Sequence, residues 1–182
     1  MPTINILRNL IKDDATVEIK VKFNNYYCDL DELDSDYKLT INNLPQDTIV
    51  IKADKFPEPS KIFNGSKMEC KRADFVVVTE TPTKKIFYIE LKRSKNSASS
   101  KEINAQLMGA KCLMEYCKAI GREFWKVDNF LEGYEPRYVK FVSQTLNKRP
   151  TRRARSSLNN TPETATIIKN SSRIQFNQLS YG

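Results

Sequence analysis

Two acids and a lysine stand where an apolar strand has no use for charge. Asp74 opens the run Asp74-Phe75-Val76-Val77-Val78-Thr79, and the next apolar run ends in Ile89-Glu90-Leu91-Lys92. Side chains alternate between the two faces of a strand, so Glu90 and Lys92 share one face while Ile89 and Leu91 share the other. Thr81-Pro82-Thr83-Lys84, between the runs, has the chemistry of a turn. In a tight hairpin the start of one strand lies beside the end of its partner, which brings Asp74 near Glu90 and Lys92. Two carboxylates and an ammonium suit metal-dependent hydrolysis of a phosphodiester. The carboxylates can hold Mg²⁺, or Mn²⁺ in its place, through hard oxygen donors, and the Leu91 carbonyl can add a ligand. A metal so held lowers the pKa of bound water. Lys92 would position that water or stabilise charge in the transition state. The competing reading is a surface ion pair between Glu90 and Lys92 with Asp74 opposite.

Composition narrows the chemistry. The 182 residues include no histidine, which removes a histidine general base and any triad built on one. The four cysteines, Cys28, Cys70, Cys112 and Cys117, form no C-x-x-C pair, so a Cys/His zinc site is not expected and reduced thiols in a cytoplasmic protein are. No apolar run approaches the roughly 20 residues of a membrane span, and no basic-then-apolar leader opens the chain. A formal net charge of +8 favours polyanionic partners, nucleic acid first.

The elements that must position the three charges follow from periodicity. Ile4, Leu7, Leu10 and Ile11 recur at helical spacing over 3–12. Val17 to Phe23 alternates as a half-buried strand, Asn24-Asn25 is a turn signal, and Tyr26 to Leu30 returns as a hairpin partner. Residues 29–36 are acidic and read as a solvated loop; they lack the glycine and final glutamate of a calcium loop. Thr48 to Ala53 reads as a strand, 54–68 as a loop, and Asp74–Thr79 with Ile86–Leu91 as the hairpin. Ser99 stands three residues before Glu102, a capping box. Ile103, Leu107, Ala110, Met114 and Cys117 then mark an amphipathic helix that Gly121 can close. Arg137 to Thr145 reads as a strand. Thr164–Ile168 and Arg173–Phe176 read as a last pair of short strands with Asn170-Ser171-Ser172 as their turn.

Residues 70–120, from Cys70-Lys71-Arg72-Ala73-Asp74 through Ile89-Glu90-Leu91-Lys92 and the helix, resemble the PD-(D/E)xK nuclease superfamily. The resemblance implies an α/β (α+β) fold with a restriction-endonuclease-like core: a mixed central sheet flanked by helices, here with N-terminal β-hairpin additions. It implies metal-ligand roles for Asp74 and Glu90 and a catalytic-lysine role for Lys92. Gln106 or Lys111 on the helix matches a position from which some members approach the lysine, with Gln106 preferred. Ala73 stands where the family motif has a proline, which many members also lack. The further acid that members place on the first helix has no clear match; Asp13, Asp14, Glu18 and Glu69 are the nearby acids. One domain is expected over 1–182: an N-terminal elaboration (1–60), a catalytic core (69–145), a basic loop (147–161) and C-terminal strands (162–182).

Substrate contacts are expected from basic residues. Lys71 and Arg72 precede Asp74, and Arg93 and Lys95 follow Lys92; such pairs hold phosphates flanking a scissile bond, or else are solvated strand ends. Lys148, Arg149, Arg152, Arg153 and Arg155 form a basic run that reads as a nucleic-acid-contacting loop or a solubilising insert. The expectation is a Mg²⁺-dependent endonuclease acting on DNA sooner than RNA, alone, as a homodimer or within a larger complex. The alternatives are a catalytically silent nucleic-acid-binding adaptor, and a structural or inhibitory partner of an acidic protein.

Overall fold

The computed structural model describes residues 2–31, 38–57, 59–92, 99–142, 159–169 and 171–179. In chain order the regular elements are α1 (Thr3–Leu10), β1 (Lys20–Lys22), β2 (Asn25–Asp31), β3 (Lys38–Leu44), β4 (Thr48–Lys52), β5 (Phe75–Thr79), β6 (Lys85–Lys92), α2 (Ser100–Glu123), β7 (Glu135–Val142), β8 (Thr166–Lys169) and β9 (Arg173–Gln175). They form two mixed sheets, β4-β5-β6-β7-β8 and β1-β2-β3-β9. The class is α+β. In the five-stranded sheet β4, β5 and β6 make an antiparallel meander, and β7 and β8 then run parallel to β6. A parallel neighbour needs a crossover, and α2 supplies it between β6 and β7.

Alternation in the sheet decides what covers each face. Ile49 and Ile51, Val76 and Val78, Ile86 and Tyr88, and Tyr138 point to one side, where Ile4, Ile6 and Leu7 of α1 and Leu107, Ala110, Met114 and Cys117 of α2 close the core. Val50, Phe75, Val77, Phe87, Ile89, Leu91 and Phe141 point to the other, against Cys28, Leu30, Leu39, Ile41 and Ile174 of the second sheet. Both helices thus cover one face and the second sheet covers the other, where helices flanking the central sheet were expected. Among the described residues no helix is long and apolar enough to cross a membrane.

Several elements depart from the sequence reading. The strand expected over Val17–Phe23 is divided: Thr16 bridges Ile51 and the Val17 N–H donates to the Val50 carbonyl at 2.9 Å, so the chain leaves the edge of one sheet before Lys20 joins the other. The hairpin turn is Phe23-Asn24, one residue early, with φ of 48° and 61°. Asp29 and Asp31, read as loop, belong to β2; residues 32–37 of that loop lie outside the described residues. β3 was not anticipated, although Leu39 and Ile41 alternate and are fully buried. The last two strands are not a hairpin: β8 pairs with β7 and β9 with β3, each parallel. Ile168 and Ile174 reach the same inter-sheet core from opposite layers, which one hairpin does not allow.

Gly121 does not end α2, whose C-cap is Phe124. A Cβ at Gly121 would stand 2.1 Å from the Phe130 ring, so glycine there admits a close-packed aromatic. At Gly109 a Cβ would stand 1.8 Å from the Lys71 carbonyl oxygen, so α2 lies directly on the segment leading to Asp74. Glycine to alanine within a helix ordinarily gains up to ~1 kcal/mol. Gly109→Ala is instead expected to lose about 1–3 kcal/mol through overpacking against backbone, read as a lower urea midpoint; an unchanged or raised midpoint would contradict this packing.

Candidate functional site

Asp74 stands one residue before β5, and the ladder that pairs Phe75 with Ile89 sets it level with Glu90. β5 has ended there, so the Leu91 N–H on that side lacks a strand acceptor; backbone donors seldom go unmet inside a protein. The Asp74 carboxylate supplies one, its Oδ2 accepting from the Leu91 N–H at 2.6 Å. The Asp74 carbonyl accepts from the Ala53 N–H at 2.9 Å, which fixes the other side of the residue. In an antiparallel pair the N–H and C=O of one residue face the same neighbour, so the Leu91 carbonyl also faces the side where Asp74 lies.

By the alternation of β5 and β6, Asp74, Glu90 and Lys92 lie on the helix-covered face. Glu90 has no exposed surface, and Lys92 Nζ lies 2.5 Å from its Oε1 with 17 % of the lysine side chain exposed. The expected gathering of two carboxylates and an ammonium is present, and its ion pair is buried, not on the surface. One step back along the strands, Tyr88 stacks on Tyr138 with ring centroids 5.0 Å apart and forms an apolar floor.

A second cation joins them. Lys140 of β7 is level with Glu90 across the parallel ladder and is only 9 % exposed. Its Nζ donates to Asn104 Oδ1 of α2 at 2.7 Å. Burial lowers its pKa, against the attraction of Glu163 and Glu90. Neither Lys140 nor Asn104 was singled out from sequence. The signal was present in Tyr138-Val139-Lys140-Phe141-Val142, a charge inside an apolar strand just as Glu90 is.

The start of α2 also meets the segment before Asp74. Ser99 Oγ accepts from the Glu102 N–H at 3.1 Å, as the capping box requires. The Glu102 carboxylate turns to Lys71 Nζ at 2.9 Å, and that bond lowers its pKa. Glu102, Gln106 and Gly109 form one stripe of the helix. Gln106 thus lies between two points of contact with Lys71. Its Oε1 is buried and has no hydrogen-bond partner among the described residues. Lys111 lines a different hollow, beside Tyr88 and Pro136.

Of the other basic candidates, Lys71 is exposed and Arg72 half-buried. Arg93, Lys95, Lys148, Arg149, Arg152, Arg153 and Arg155 lie outside the described residues. Among the nearby acids, Asp13, Asp14 and Glu18 line a cleft of about 710 Å³ together with Asp54 and Asp74. Glu69 does not: it accepts from the Gly65 and Lys67 N–H groups at 3.0 and 2.8 Å and closes its own loop. Among the described residues no group of three or more acids, histidines or cysteines is close enough to hold a metal ion. Asp74, Glu90 and the Leu91 backbone share one end of the meander. The chain matches no family model, no curated protein and no solved structure.

Removing one partner of a buried ion pair costs about 3–5 kcal/mol. Lys92→Ala is expected to lose about 3 kcal/mol in urea unfolding, and a loss under 1 kcal/mol would show the pair to be solvated. A hydrogen bond to a charged group contributes about 1.5–3 kcal/mol, so Asn104→Ala should lower stability by that amount, whereas Asn104→Asp should not.

Proposed function

We propose that the protein is a metal-dependent endonuclease of the PD-(D/E)xK kind, acting on DNA sooner than RNA. The observation that carries the reading is the meeting of Asp74, Glu90 and Lys92 on one face at one end of a meander, with Asp74 bonded to Leu91. The succession α1, β4–β6, α2, β7 supports it, being the helix, sheet and second helix that the resemblance implies. The free thiols fit the cytoplasmic setting proposed with it.

The donor set fits Mg²⁺ or Mn²⁺: hard oxygens only, from two carboxylates and a carbonyl, with cations to balance the excess acid. Asp74 and Glu90 would hold the metal. When bound it supplies charge neutralisation at the phosphate and an acidified water. The protein's own groups do the rest. The Leu91 N–H orients the Asp74 carboxylate. Lys92 can offer an N–H to a non-bridging phosphate oxygen, where charge grows in the transition state. The apolar floor of Tyr88 and Tyr138 excludes water behind the charges and strengthens them. Hydrolysis adds water across one P–O bond and leaves a phosphomonoester and a hydroxyl.

A second reading, the catalytically silent nucleic-acid-binding adaptor, is favoured by one observation: Glu90 has no exposed surface. Incubation of plasmid, single-stranded DNA and RNA with Mg²⁺, Mn²⁺ or EDTA separates the two. The nuclease reading expects metal-dependent cutting that Glu90→Gln abolishes and Lys92→Met lowers by about 10²–10³-fold. A folded wild type that binds nucleic acid and never cuts it would favour the adaptor.

A further inference from the structure

The outward face of the second sheet is built for contact. Inward positions of β2, β3 and β9 are buried apolar residues, and the positions between them carry hydrogen-bonding groups, the Tyr27 ring, the cations Lys38 and Arg173, and the acids Asp29 and Asp31. Lys20, Tyr27, Asn42 and Gln175 stand level across the four strands, with Thr40 and Arg173 level in the next row. The face is a shallow hollow of about 820 Å³. Its carboxylate, Asp29, is already engaged by Thr40 at 2.7 Å and Lys20 at 3.0 Å. Lys22 and Arg173, also lining the hollow, make no ion pair with any described residue.

Phe23 sits at the rim of this hollow and is 89 % exposed. It occupies the first central position of a two-residue hairpin turn at φ 48°. Such turns favour Asn-Gly, and a bulky side chain at positive φ is strained. An exposed, strained aromatic has no folding rationale, and such outliers concentrate where a protein binds something. Lys22 Nζ lies 5.8 Å from the ring centroid, so a cation and a ring face are presented together.

We propose that this face is a docking platform for single-stranded nucleic acid. Unpaired bases stack on Phe23 and Tyr27, Lys22 and Arg173 meet phosphates, and the amides of Asn42 and Gln175 meet base edges. A duplex hides its base faces and cannot use the rings in this way. Asp29 lines both the platform and the cleft that opens on Asp74, so the two surfaces adjoin. The platform thereby narrows the substrate of the nuclease reading to unpaired strands; only that link rests on the reading.

Fluorescence anisotropy of the whole protein in EDTA tests it, with labelled single-stranded DNA, single-stranded RNA and duplex DNA of one sequence. Single strands should bind at least about tenfold tighter than duplex, the two single-stranded arms showing which sugar is preferred. Phe23→Asn should weaken single-strand binding about tenfold, the loss of one stacked base, and raise Tm by about 2 °C as strain is relieved. Arg173→Glu should weaken binding and flatten its salt dependence. Equal affinity for duplex, no binding to any strand, or wild-type binding by both variants would overturn the platform. Wild-type cutting with binding indifferent to Phe23 and Arg173 would sink the platform alone; Phe23-dependent binding without cutting would sink the nuclease reading alone.

Discussion

Burying a carboxylate costs several kcal/mol unless cations and hydrogen bonds compensate it, and Glu90 is buried completely at the end of the central strand β6. That constraint shapes its surroundings. Lys92 pairs with it from two residues on, and Lys140 stands level with it on β7, held to α2 by Asn104. The helix–sheet core therefore closes at this end around a charged cluster, while the rest of the same face is Val, Ile and aromatic packing. A core retains such a cluster at a cost in stability, and groups of perturbed charge inside proteins concentrate where chemistry is done.

The same end of the fold controls where Asp74 lies. The segment before it is gripped twice by α2, once by the Lys71–Glu102 ion pair and once by the contact of Gly109 with the Lys71 carbonyl. After it, β5 is zipped to β6 from Phe75 onward. Asp74 is thus fixed from both sides, and its carboxylate Oδ2 accepts from the Leu91 N–H beyond the end of β5. The second sheet plays a different part. It covers the opposite face of the central sheet and turns Tyr27, Thr40, Asn42, Arg173 and Gln175 outward.

Much of the central sheet was legible in the sequence because its signals are local. Continuous apolar, β-branched runs located β5 and β6, a turn joined them, and a hydrophobic stripe with Ser99 three residues before Glu102 located the start of α2. The meeting of Asp74 with Glu90 followed from hairpin geometry alone. What escaped depends on distant partners. Gly121 resembles a helix stop until Phe130 is seen against it. The last two strands resemble a hairpin until each pairs with a strand far away in sequence. β3 was passed over because its alternation lies among asparagines, residues poor in strands. Lys140 was passed over because its neighbour Glu90 is supplied by a parallel ladder, whose register no local pattern reveals.

The most direct measurement is binding of Mn²⁺, followed by its electron paramagnetic resonance signal, to the wild type and to Asp74→Asn without any nucleic acid present. Asparagine keeps the size of the side chain and an acceptor for the Leu91 N–H but removes one anionic ligand. The account predicts saturable Mn²⁺ binding by the wild type, weakened about tenfold or more in a variant that unfolds normally. Identical binding by the two, or none by either, would contradict the claim that Asp74 and Glu90 form a metal site.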